Sequence, residues 1–85
     1  MSASIATASQ SARAIEKLQA LSLREFSVAK QIATGARPQD IAESLRISIK
    51  TVGTYRSRLL QKLGVRSNAE VAVLAYVAGI IDCTI

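Results

Sequence analysis

No histidine occurs anywhere in this 85-residue chain, and it contains one cysteine, one proline, one methionine and no tryptophan. Without histidine the chain lacks the commonest general base and transition-metal ligand. The lone thiol, Cys83, can close no internal disulfide and suits a reducing compartment. Aromatic residues make up only 4% of the chain while hydrophobic residues reach 49%, so the core must be aliphatic. That composition favours packed helices over a sheet sandwich. Long apolar runs are also missing. The most apolar stretch, Val71 to Ile81, is about half the roughly 20 residues a membrane span needs. Residues 1–20 have neither a basic start nor an extended apolar segment, so no secretory leader is expected. Clustered carboxylates and a Gly-rich phosphate loop are absent too, which leaves no residues for an enzyme, a cofactor or a metal site. The expectation is one soluble, cytoplasmic domain without membrane contact.

Acid is missing from one segment in particular. Between Arg46 and Arg66 the basic residues Arg46, Lys50, Arg56, Arg58, Lys62 and Arg66 follow one another with no carboxylate among them. The other five basic residues nearly balance all six acids, so the net charge of +5 is concentrated in this segment. A local cationic patch fits a polyanionic partner, and DNA, RNA or a membrane surface would each satisfy it.

The turn and cap signals divide the chain into helices. Residues 1–20 read as a linker or leader, with Arg13 to Ala20 able to form a short helix because Ile15 and Leu18 are spaced i, i+3. Ser22 followed by Glu25 is a capping-box pattern opening a first helix, whose apolar Val28, Ala29, Ile32 and Ala33 run to a stop at Gly35. Pro38 suits the first turn of a short second helix that buries Ile41, Ala42 and Leu45. Arg46 and Ile47 form a turn, with Arg46 at a position where many such motifs place glycine. Ser48 caps a third helix that ends at Gly64. Ser67 and Glu70 form a second capping box, opening a fourth helix to about Gly79. An all-α, four-helix domain over residues 21–82 is expected, preceded by a disordered or partly helical linker.

Winding the third helix at about 100° per residue puts Val52, Tyr55, Leu59 and Leu63 on one stripe. Lys50, Thr54, Ser57 and Gln61 fall opposite, flanked by Gly53 and Arg58. That outer face offers donors and acceptors for base edges or phosphates and no carboxylate to repel them. A short helix, a tight turn and a longer helix make a helix-turn-helix, with Ala42 small where the two helices cross.

From Leu21 to about Asp82 the chain resembles the LuxR/FixJ-type (GerE-like) helix-turn-helix domain of bacterial response regulators. The resemblance is carried by LSLRE at 21–25, Gly35, QDIAESLRISIKTV at 39–52 and RLLQKLGVRSNAE at 58–70. It implies sequence-specific binding of duplex DNA, with the third helix in the major groove, and a role in transcription. Carried over position by position, it implies that Gly53, Thr54 and Ser57 face bases, and that Lys50, Thr51, Arg58 and Lys62 lie near phosphates. Three departures stand out. Gly53 occupies a position where many relatives carry Lys or a larger polar residue, Pro38 one where Asn is common, and Arg56 one that is usually aliphatic. Arg56 is expected to run its stem along the core edge.

In the fourth helix, Val71, Leu74, Ala75 and Ala78 can pack inward, which leaves Val73, Tyr76, Val77 and Ile80 as an apolar face. Such a face marks an interface. A homodimer through it would present two recognition helices about 34 Å apart to inverted half-sites, with RNA polymerase a further candidate partner. The segment at 13–20 folding back over this face is the alternative. Two rival functions are a sigma-factor region four, which generally ends after its recognition helix, and a protein–protein adaptor using the apolar face of helix 69–79.

Overall fold

The computed structural model describes residues 12–80. The leader before residue 12, Cys83 and the expected domain end at Asp82 lie outside them. The described chain is helical with no strand: α1 over residues 12–19, α2 Leu23–Ala33, α3 Pro38–Leu45, α4 Ile49–Leu63 and α5 Asn68–Val77. None of these helices is long and apolar enough to cross a membrane.

The ends of the helices are fixed by local chemistry. Ser22 Oγ accepts from the Glu25 amide while the Glu25 carboxylate accepts from the Ser22 amide, closing the expected box at α2. Ser67 and Glu70 repeat it at α5. Pro38 occupies the first turn of α3, and Ser48 Oγ caps α4 by accepting from the Thr51 amide at 3.0 Å.

Four helices then end in one motif. A residue with positive φ follows the last turn: Gly35 at 88°, Arg46 at 58°, Gly64 at 72° and Gly79 at 78°. The next amide reaches back five residues, from Ala36 to Gln31, Ile47 to Ala42, Val65 to Leu60 and Ile80 to Ala75. Each of those next residues is apolar and turns its side chain onto the core. The bond satisfies a carbonyl that the helix end would otherwise strand, and glycine reaches this backbone region without a Cβ clash. Arg46 is the exception. A Cβ in that region costs about 1–2 kcal/mol, so the turn ahead of α4 holds a strained residue.

The core joins Leu18, Leu21, Val28, Ala29, Ile32, Ile41, Ala42, Val52, Leu59, Leu63 and Val71. Helix α2 packs on both α4 and α5, and α3 packs on α4. Tyr55 contributes only a half-buried ring to the inner stripe of α4. Helix α1 matches the expected short helix but buries Ala14 and Leu18, an i, i+4 pair, and leaves Ile15 exposed. It does not cover Val73 or Tyr76, which remain 60% and 54% exposed.

One charge belongs to the core. Glu25 shares the buried stripe of α2 with Val28, Ala29 and Ile32, and its side chain is 4% exposed. Lys62 of α4 donates to Glu25 Oε1 at 2.7 Å. That hydrogen bond from Lys62, followed by the one from the Ser22 amide, holds the carboxyl below its ordinary pKa against the opposing pull of burial. A depressed carboxylate pKa stabilises the fold at pH values above the unfolded-state pKa. The benefit is lost as pH falls through the folded value. Glu25→Gln is therefore expected to cost about 1–2 kcal/mol at pH 7, with Lys62 half in solvent limiting the loss. The deficit should fade toward pH 3. Urea melts of both forms at the two pH values measure it, and an equal deficit at both would refute the assignment.

Candidate nucleic-acid interface

The sequence of α4 sets its two faces. Val52, Leu59 and Leu63 are buried against the other helices, while Lys50, Gly53, Thr54, Ser57, Arg58 and Gln61 are all exposed. These six residues form one continuous outer surface, as the helical spacing predicts.

Hydrogen bonding distinguishes the members of that surface. The Thr54 hydroxyl donates to the Lys50 carbonyl at 3.3 Å, a back-bond to the preceding turn that leaves its lone pairs outward. Thr51 is half-buried, and its hydroxyl lies 2.8 Å from Ser48 Oγ, inside the cap. Thr51 thus orders the start of the helix. Lys62 points its ammonium at Glu25, on the flank of the helix. Lys50 and Arg58 pair with no carboxylate among the described residues.

The first turns of the helices show where an anion is welcome. The positive end of a helix dipole favours an acid, and α2, α3 and α5 each have one there: Glu25, Asp40 and Glu70. Helix α4 has none. A first-turn acid is worth about 0.3–1 kcal/mol, a stabilisation that α4 goes without. Its amino end and the cations around it remain open to an external anion.

Three side-chain bonds that spacing alone did not reveal brace this helix pair. Arg24 of α2 donates to the Leu45 carbonyl at 3.2 Å, at the end of α3. Arg56 Nε donates to Asn68 Oδ1 at 2.8 Å, tying α4 to the start of α5. The Lys62–Glu25 bond ties α4 to α2. Arg56 is half-buried, and its guanidinium ends on the Asn68 side chain. The signal for Glu25 was present: Glu25, Val28, Ala29 and Ile32 keep i, i+3, i+4, i+7 spacing, which puts the carboxylate on the apolar stripe.

On α5 the expected apolar face is narrower than the spacing suggested. Val73 and Tyr76 are exposed, joined by exposed Ala69. Val77 is half-buried. Ile80 packs against the core, because it follows Gly79 and takes the inward place in the helix-end motif. No group of three or more acidic or cysteine side chains that could hold a metal ion occurs among the described residues.

A short helix, a tight left-handed turn and a longer helix with a cationic, acid-free outer face define a helix-turn-helix domain of the nucleic-acid-binding type. Residues 19–75 match the family of bacterial regulatory proteins called luxR, and the chain belongs to that family. It is 44% identical over 62 residues to the response regulator GacA of Pseudomonas aeruginosa, covering 73% of this chain and 29% of GacA. It is 50% identical over 52 residues to the DNA-binding transcriptional activator EvgA of Escherichia coli K12, covering 61% of this chain and 26% of EvgA. The chain therefore spans less than a third of these relatives. The crystal structure of full-length FixJ from B. japonicum superposes with a TM-score of 0.76 at 29% identity, over 88% of this chain and 38% of FixJ.

Proposed function

We propose that this chain is the DNA-binding effector domain of a bacterial transcription regulator of the response-regulator kind, and that α4 reads the major groove. The observation that carries the reading is the acid-free start and outer face of α4, which alone among α2 to α5 has no first-turn carboxylate. Membership of the luxR family and the likeness to GacA and EvgA support it. In this reading Thr54, Ser57 and Gln61 present hydroxyl and amide groups to base edges, while Lys50 and Arg58 meet phosphates. Thr51 acts through the cap. Lys62, held by Glu25, contributes its field more than a direct contact. Two copies joined through Ala69, Val73 and Tyr76 of α5, with Val77 at the margin, would place two such helices on inverted half-sites about one DNA turn apart.

Two substitutions separate positioning from reading. Lys50→Ala is expected to weaken specific and scrambled duplexes alike and to reduce the slope of log affinity against log salt by about one. Thr54→Ala is expected to cut the ratio between them by about 5- to 150-fold, the worth of roughly 1–3 kcal/mol of base discrimination. Gel shifts across a salt series report both. An unchanged ratio for Thr54→Ala would remove α4 from the groove, and unchanged affinity for Lys50→Ala would favour the adaptor reading.

A further inference from the structure

Gly53 is not explained by the fold. It lies inside α4, where glycine is among the least favourable residues. Its φ is an ordinary helical one, unlike those of Gly35, Gly64 and Gly79. A Cβ placed on it would meet no side chain beyond its chain neighbours and no backbone beyond its own helical turns within 4 Å. Neither backbone geometry nor packing asks for the missing side chain.

Its surroundings suggest what does. Gly53 is exposed on the same face as Lys50, Thr54 and Ser57, so the gap it leaves opens on the cationic, acid-free side of α4. One turn back lies Ile49, 56% exposed although large and apolar. Residues four apart in a helix stand side by side, so Ile49 forms one wall of the gap at Gly53. The result is a shallow notch with an apolar wall, beside hydroxyl groups and a cation.

We infer that the Ile49–Gly53 notch receives the 5-methyl group of a thymine in the major groove, which makes Gly53 a specificity determinant. This rests on the reading of α4 as the DNA-facing helix. Thymine is the choice because its methyl is the apolar group that unmodified base pairs display in that groove. With no side chain, position 53 has no amide or guanidinium with which to prefer guanine or adenine. The absent Cβ also lets the helix backbone approach the base edge closely. Alanine would place its own methyl where the thymine methyl belongs.

The test begins with selection of binding sites from random duplexes by the wild-type protein and by Gly53→Ala. Each thymine of the enriched duplex is then replaced in turn by deoxyuridine, which lacks only the methyl. The wild type is expected to lose about fourfold in affinity at one thymine per half-site, the worth of one buried carbon group. Gly53→Ala is expected to melt roughly 3–8 °C higher, to bind the enriched duplex several-fold more weakly and to ignore the uridine change. Ile49→Ala should blunt the uridine effect without raising the melting temperature. A lower melting temperature for Gly53→Ala would show that the fold needs the glycine and overturn the inference. So would an enriched duplex with no uridine-sensitive position, or an undiminished uridine penalty in Gly53→Ala. Failure of the wild type to enrich any duplex would overturn the DNA reading itself, a result distinct from the others.

Discussion

Leu59→Ala is expected to remove about 3–5 kcal/mol from the stability of this domain, as large an effect as a single truncation of its aliphatic core gives. Leu59 is fully buried at the middle of α4's inner stripe, in the core that α4 shares with α2 and α3. Removing its side chain forfeits the transfer energy of the deleted carbons and leaves a cavity that three capped helices cannot easily close. A chain of this length has roughly 4–13 kcal/mol of stability in total, so the loss takes about a quarter of it at the upper end and nearly all of it at the lower. Urea titration followed by circular dichroism measures the loss as a drop in midpoint at constant slope. A loss below about 1 kcal/mol would mean that α4 is not packed as described. Loss of DNA binding by this variant would follow from unfolding and would say nothing about contacts.

Val73→Glu is expected to leave the monomer fold intact and lower affinity for a duplex carrying two half-sites by roughly 10²-fold or more. The size comes from linkage: in a dimer the second half-site is met at high effective concentration once the first is bound. Val73 is 60% exposed on α5, on the side away from buried Val71 and Ala75, so a carboxylate there costs the monomer little. Facing its own copy across a two-fold axis, the same carboxylate meets a like charge in an apolar patch. Sedimentation should show a monomer, and affinity for a single half-site should match that of the wild type. Equal affinity of both proteins for the paired site would sink the α5 interface.

Much of the architecture is legible in the sequence because it is written in end signals. Ser22 with Glu25, Pro38, Ser48, Gly64, and Ser67 with Glu70 each carry a local instruction that holds whatever the rest of the chain does. The outer face of α4 is legible for a similar reason, since helical winding alone decides which residues share a side. What the sequence left hidden depends on meetings between helices. Lys62 and Glu25 are far apart in the chain, and only the packing of α2 on α4 brings a lysine at the helix flank onto the buried carboxylate. Continuing the winding of α5 turns Ile80 outward, but the helix stops at Val77 and Gly79 redirects the chain. The spacing of Ile15 and Leu18 predicts α1, whereas its buried pair is Ala14 and Leu18. Small residues give weak signals in a hydrophobic pattern even where close packing needs them most.

The bonds that brace α4 have a thermodynamic consequence for its encounters. Arg24 steadies the turn before it, Arg56 fastens its middle to α5, and Lys62 anchors its far end to α2. A helix tied to two neighbours, behind a turn that a third bond steadies, forfeits little further freedom when a ligand settles against it. The entropy lost on association is then confined to a few surface rotamers, each costing about 0.5–1.5 kcal/mol. Stiffness of this kind also makes mismatch expensive. For the proposed reading of α4, a surface that cannot bend to a wrong sequence has only its poor fit to offer, so rigidity set far from the outer face would sharpen selection at it.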